Sequence, residues 1–408
     1  MSPRVRATSV FASRAFRRYF VGQAFSYVGD GLRMLSVPLL AYHLTHSALS
    51  TGTALICEVA PFSVFSLVGG SLADRLDRRK LMIGCDAVRF AVMAIFAVTY
   101  ALHVLTLPMI YSGLVIMSIC AAGFLGGQSS SIPYLLGKEK MTKAMAVLIA
   151  AENGSNLITP AIGGAIFAYF GPLPALTVNA VTYLASQVSL AWIPSLGPER
   201  VTGLPSLRNL VADIKLGYRQ LWGDLGMRAQ ALVAFTFNVF GFGCYAILIP
   251  FLKKGFDATD QQVGIFFGLS ALGAVVGASL AARFAERWPF GRALVVAYLL
   301  DAAFFLPVVL VSNIWLAAFF WSTSNAIANF EIAQILGFRM RVAPEEMVGR
   351  VMGAVRLLVL GGMAPGILIF GWVADHHSPH TAMWIATLGY FVAAVGAALT
   401  PAIRNEAR

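Results

Sequence analysis

Gly70-Ser71-Leu72-Ala73-Asp74-Arg75-Leu76-Asp77-Arg78-Arg79-Lys80 is a short charged hairpin set between two long apolar runs, 50–72 and 81–102. Each run is long enough to cross a bilayer as a helix, which takes about 20 residues. A connection of a few residues permits only an antiparallel helix pair. The four cations Arg75, Arg78, Arg79 and Lys80 place that connection on the cytoplasmic side, because positive loops are retained there.

The rest of the chain extends this pattern. Its 408 residues are 58% hydrophobic and only 12% charged, with mean hydropathy +0.75. A soluble chain carries about 25% charged residues, so the composition is that of a polytopic membrane protein. Twelve apolar segments follow one another near 19–42, 48–72, 81–102, 107–130, 144–170, 173–194, 229–252, 262–284, 293–311, 314–338, 348–373 and 381–401. The basic residues at 4–18 before the first segment resemble a signal peptide, but that segment is too long and too many follow it. It reads as a retained first helix.

An even number of spans puts both termini on one side. On this layout 25 of the 30 Lys and Arg residues fall on the side of the termini (counting Arg283 and Arg350 at the inner ends of their spans), two (Lys253 and Lys254) on the other, and three (Arg33, Arg89 and Arg356) deeper within spans. Both termini are therefore expected in the cytoplasm. The same distribution accounts for the net charge of +11 without nucleic acid as a partner. Cys57, Cys85, Cys120 and Cys244 all fall in apolar runs without a Cys-x-x-Cys pair, so neither a disulfide framework nor a zinc site is indicated. Asp375, His376, His377 and His380 read either as an exposed polar loop or as a metal or pH-sensing cluster; nothing nearby completes a ligand set. No cofactor or metal is expected.

Residues 195–228 are the one long polar interruption, and they divide the chain into bundles at 1–194 and 229–408. Within the interruption Leu210, Ile214, Gly217, Tyr218 and Leu221 share a helical face, with Lys215 and Arg219 elsewhere. This is a basic amphipathic helix suited to the membrane surface. The two halves repeat. Val68-Gly69-Gly70-Ser71-Leu72-Ala73-Asp74-Arg75 aligns with Val276-Gly277-Ala278-Ser279-Leu280-Ala281-Ala282-Arg283, while Met141 matches Met347 and Pro160 matches Pro365. Ala282 stands where Asp74 stands in the first copy, so the charged hairpin is complete once.

The spacing Gly-x-x-x-Asp-Arg-x-x-Arg-Arg resembles the loop 2–3 signature of the major facilitator superfamily, and the resemblance covers nearly the whole chain. Asp77, where many members carry glycine, is similar to the branch of macrolide-efflux and siderophore-export proteins. So are Phe16-Arg17-Arg18, Gly22-Gln23, Ser26, Gly29-Asp30 and Gly349-Arg350-Val351-Met352-Gly353. The resemblance implies an all-α polytopic membrane protein, with twelve transmembrane helices in two pseudo-symmetric six-helix bundles (the major facilitator fold). It also implies that Asp74 pairs with a cation at the start of span eleven, Arg350 or Arg356, holding the bundles together when the carrier is open outward. Arg75, Arg78 and Arg79 would then face lipid headgroups or helix ends, although the same cations could serve topology alone. The span-five antiporter signature is partly matched by Ser155–Gly164: Pro160, Gly163 and Gly164 are present, with Ser155 and Thr159 in place of glycines. This leans toward export.

Six acids lie within spans: Asp30, Glu58, Asp86, Glu152, Asp301 and Glu331. A charge at midplane costs at least about 2.5 kcal/mol, so each needs a partner, a cavity or a proton. Asp30 and Glu58 are the favoured proton-carrying groups. Asp30 and Arg33, one turn apart, read equally as a permanent ion pair. Glu152 and Asp301 are placed at the cavity or against other helices. Asp86 and Arg89 are assigned to the charges around Asp74, and Glu331 with Gln334 to an inner gate.

The expected function is proton-coupled efflux of a small amphiphilic organic molecule, a drug, macrolide-like metabolite or siderophore. The partners are that molecule, protons and the lipid bilayer, with the chain a monomer of a bacterial inner membrane. A lipid or lysophospholipid flippase, a nutrient importer on the same fold, and a non-transporting sensor or scaffold remain open. An enzyme is not expected, since no span carries a nucleophile–base pair or a phosphate-binding loop. Reporter fusions check the topology. Both termini and the 70–80 hairpin are expected to report cytoplasm, and the connections at 43–47 and 253–261 the opposite side.

Overall fold

The computed structural model describes residues 10–404 except 74–75, 138–139, 194–195, 197–206, 285–289, 343–350, 352–353, 356 and 359–360. Among the described residues the chain is helical, with no strand. The first half comprises α1 (Arg14–Thr45), α2 (Ala48–Ala73), α3 (Arg78–Ala101), α4 (Leu107–Leu136), α5 (Met141–Phe170) and α6 (Pro172–Ala191). Helix α7 (Leu207–Gly223) follows the interruption. The second half comprises α8 (Leu225–Gly255), α9 (Asp260–Phe284), α10 (Phe290–Leu310), α11 (Ile314–Val342), α12 (Met363–His376) and α13 (Pro379–Leu399), then a last turn at Pro401–Arg404.

Several helices run a turn or more past the apolar segments, because polar side chains satisfy backbone groups that the helix itself cannot. Ser13 accepts from the Phe16 amide at the start of α1, and Asp224 from the Met227 amide at the start of α8. Asp77, the residue that sets the hairpin apart from the usual glycine, accepts from the amides of Arg79 (2.9 Å) and Lys80 (3.2 Å). It is the N-cap of α3. Among the described residues, seven helices are individually long and apolar enough to span a membrane. Those that fall short include α1 and α11, which carry ionisable and amide side chains toward the interior.

Contacts fall mainly within each half. Between halves, α5 packs on α9, and α2 packs on α12 and α8. These contacts lie toward one end, called distal here: the end of residues 45–48, 171, 255–260 and 376–379, opposite the first and last described turns. A methyl group on Gly164 would lie 2.7 Å from the Cα of Gly264, and one on Gly163 3.2 Å from the carbonyl oxygen of Leu32. Residues without a Cβ let the backbones meet at both crossings of α5. Leu55 of α2 and Ala246, Met363 and Ile367 of the second half form a buried apolar plug.

Polar latches lie beyond the plug. Asp375, at the C-terminal end of α12, accepts from Ser47 Oγ (2.6 Å) and from the amides of Ala48 (2.7 Å) and Leu49 (3.1 Å). A carboxylate of one half thus caps the first turn of α2 in the other, where the helix dipole favours negative charge. Asp260 of α9 meets Lys253 at 2.5 Å and His43 of α1 at 3.2 Å. The distal end is closed.

Asp74, Arg75, Arg350 and Arg356 lie outside the described residues. At the proximal end Arg78 donates to the carbonyl of Leu196 at 3.3 Å, Arg79 to that of Ala191, and Arg18 to that of Trp192 at 2.9 Å. Hairpin cations thereby tie α3 to the carbonyl end of α6. On α7, Gly217 and Leu221 are buried while Lys215 and Arg219 are exposed; Leu221 packs with Met227 and Phe290 of the second half.

Removing the α2 cap with Asp375→Ala should cost the closed distal end about 1 kcal/mol, about a fivefold shift in population. Distances between spin labels at His46 and Asp257 should lengthen accordingly, and Gly164→Leu should shift them further.

Candidate functional site

Below the distal seal, the first half encloses a cavity of about 230 Å³ whose walls include Tyr27, Asp30, Arg33, Glu58, Phe62, Arg89, Phe124, Gln128 and Glu152. Helix periodicity explains why these residues converge. Ser26, Asp30 and Arg33 occupy successive turns of one α1 face, and Asp86 and Arg89 do the same on α3. Glu58 enters from the middle of α2.

The charges are tightly joined. Arg33 lies 2.7 Å from Glu58 and 3.2 Å from Asp30. Arg89 lies 3.4 Å from Asp86 and 3.9 Å from Asp30, so Asp30 bridges the two guanidinium groups. Neutral donors complete the network. The Tyr183 hydroxyl of α6 donates to Asp30 at 2.9 Å, and Ser186 Oγ to Asp86 at 2.6 Å. Arg89 also donates to Ser26 at 3.2 Å and packs over the rings of Phe124 and Tyr183. Three carboxyl groups face two guanidinium groups, a formal excess of one acid before Glu152 is counted.

The two signs are not presented equally to the cavity. Asp30 and Glu58 side chains are 32% and 16% exposed, whereas Arg33 and Arg89 are 6% and 2% exposed. A molecule in this space meets carboxylates backed by buried cations. The aromatic rings of Phe62 and Phe124 give it apolar walls.

The sequence-derived candidates divide into three groups. Asp30, Arg33, Glu58 and Glu152 line the cavity together. Asp86 and Arg89, assigned from sequence to the charges around Asp74, join the Asp30 network through Arg89, while Asp74 itself lies outside the described residues. Asp301 takes the second of the two places left open for it, against another helix. It is 1% exposed in the second half, where it accepts from Ser324 Oγ of α11, and it is not a wall of this cavity. Of the span-five residues, Gly163 and Gly164 serve the helix crossings described above, and Pro160 is buried within α5. Sequence reasoning missed Tyr183 and Ser186, because a tyrosine or serine in an apolar run carries no signal of its polar partner. The histidine stretch is dispersed: Asp375 caps α2, His376 bonds the Trp372 carbonyl, and His380 bonds that of Val309.

The sequence profile described as Major Facilitator Superfamily matches residues 19–366. The chain belongs to the major facilitator superfamily. Among curated relatives of this transporter, the enterobactin exporter EntS of Citrobacter koseri is 24% identical over 400 residues, covering 93% of this chain and 89% of the relative. EntS of Escherichia coli O1:K1 / APEC is 24% identical over 380 residues, covering 90% and 86%. Among solved structures, a bacterial homologue of the human lysosomal transporter Spinster superposes with a TM-score of 0.70 at 15% identity, covering 96% of this chain and 97% of that one. The nucleoside transporter NupG superposes with a TM-score of 0.73 at 12% identity, covering 94% and 99%. The facilitator fold is thus shared with carriers of unlike cargo, so cargo must be argued from the site.

Arg33→Leu would leave Glu58 and Asp30 without their shared cation. Its expected cost is about 3 kcal/mol of stability, read as a lower melting temperature in detergent. Adding Glu58→Gln should recover part of that loss.

Proposed function

We propose that this transporter exports a small amphiphilic organic molecule from the cytoplasm of a bacterial cell, driven by the proton gradient. The observation that carries the reading is the cavity itself: acids in formal excess of one over their cations, set among aromatic walls and beneath a closed distal end. Such a site suits an organic cation or an amine-bearing amphiphile, whose charge balances the excess while its apolar body occupies the ring-lined space.

The charge bias of the loops supports cytoplasmic termini, which makes the distal end the outer one and this state inward-facing. Alternating access would break the α5–α9 and α2–α12 contacts at that end and form their counterparts at the other. The EntS relatives, named as enterobactin exporters, support export as the direction. The short polar connections and bacterial relatives support an inner-membrane location, and the monomer is proposed because one chain supplies both bundles.

The test is proton movement in inverted vesicles challenged with amphiphilic amines, macrolides and siderophores. Cargo-dependent collapse of the pH gradient is expected, with at least a tenfold loss in Asp30→Asn and Glu58→Gln at unchanged protein level. No collapse with any compound, alongside scrambling of labelled lysophospholipid in liposomes, would replace this reading with lipid flipping.

A further inference from the structure

The second half holds ionisable groups that the cavity does not use. Asp301 of α10 and Glu331 of α11 are 1% and 5% exposed. Ser324 Oγ donates to Asp301, and Glu331 lies seven residues beyond Ser324, two turns along nearly the same face of α11. Neither acid has a cation within 4.0 Å among the described residues, and Glu331 Oε1 has no hydrogen-bond partner. The first-half acids differ: Asp30, Glu58 and Asp86 each lie within 3.4 Å of a guanidinium nitrogen.

The surroundings of the second-half pair offer little positive charge. The titratable groups facing it are Cys244 of α8, Tyr298 of α10 and Tyr390 of α13. Among the described residues the nearest cation is Arg339 of α11, which faces Tyr298. Its Nε donates to Gln230 Oε1 of α8 at 2.8 Å, while its Nη2 is buried without a partner. Glu331 and Arg339 sit on the same helix, each with an unused polar atom, and they do not meet in this state.

An ionised carboxylate buried without a cation costs several kcal/mol, and the usual escape is to bind a proton. A carboxylate held against a guanidinium has no such need. We infer that the exchangeable proton of this carrier resides in the second bundle, on the Asp301–Glu331 pair, and not on the arginine-paired acids that face the cavity. This inference rests on the proton-coupled reading above and divides its labour: the first bundle recognises cargo, the second carries the proton. Arg339 provides the discharged state. When the Arg339 side chain leaves Gln230 and its free Nη2 swings back along α11 to Glu331, the carboxyl O–H bond breaks, the proton passes to water, and the carboxylate is retained as an ion pair.

The test needs no cargo. Infrared spectra of the full-length protein in lipid nanodiscs at pH 7 should show the C=O stretch of a protonated carboxyl, shifted in D2O. Asp301→Asn or Glu331→Gln should remove at least half of that band, while Asp30→Asn and Glu58→Gln leave it in place. Arg339→Gln, which removes the discharging cation and neither acid, should move the loss of the band to higher pH. A band that survives in both second-bundle variants, or that disappears in Asp30→Asn or Glu58→Gln, overturns the inference; the vesicle assay then tells whether proton coupling itself stands. An unchanged pH profile in Arg339→Gln overturns the role of Arg339. Loss of proton movement in vesicles with the infrared pattern intact would instead sink the export reading and leave the proton site standing.

Discussion

Arg33 and Arg89 make the first bundle possible. Burying three acids among membrane helices is unfavourable unless each finds a cation or a proton, and two guanidinium groups are arranged so that Asp30 is shared between them. Each arginine is held by residues on other helices: Glu58 on α2 and Tyr183 on α6 for Arg33, Ser26 on α1 and Phe124 on α4 for Arg89. The same contacts that stabilise the charges therefore position the helices, and the cavity is the space left beside them. Because the cations lie behind the acids, ion pairing inside the bundle coexists with an acidic surface toward cargo.

The closed end relies on different physics. Its central layer is steric, with Gly164 against Gly264 and Leu55 against Ile367 and Met363, so it depends on small or complementary side chains across the two halves. The outer layer is polar and reversible. Asp375 caps α2 from the opposite bundle, and Asp260 joins Lys253 to His43 across the same boundary. Hydrogen bonds near the water-exposed end can be exchanged for water when the bundles separate, so their net contribution is modest. A latch of this strength suits a boundary that must open repeatedly.

The two bundles treat buried acids in opposite ways, although their sequences repeat. In the first, Asp30, Glu58 and Asp86 are each compensated by an arginine within 3.4 Å. In the second, among the described residues, Asp301 has the Ser324 hydroxyl as its partner and no cation, and the Arg339 guanidinium is engaged by Gln230. The internal repeat preserves helix packing while the ionisable residues inside it have diverged, which allows one architecture to hold two kinds of polar centre.

Much of this was legible along the chain. Apolar length, the position of basic residues and the hairpin at 70–80 determine a polytopic helical protein with a repeated half, because the bilayer imposes a length and a charge rule on every span independently of its neighbours. Periodicity also exposed the local pairs Asp30–Arg33 and Asp86–Arg89. Tertiary structure decided the rest. Glu58 reaches Arg33 from another helix, and Tyr183 reaches Asp30 across 153 positions of sequence. Asp375 serves the first turn of a helix 327 residues away, where the sequence read as an exposed polar loop or a metal or pH-sensing cluster. Asp301 and the cavity are separated by the division into bundles. A side chain's partner across a helix interface depends on the rotation and crossing of both helices, and one chain read in order specifies the face of each helix without fixing how the faces meet.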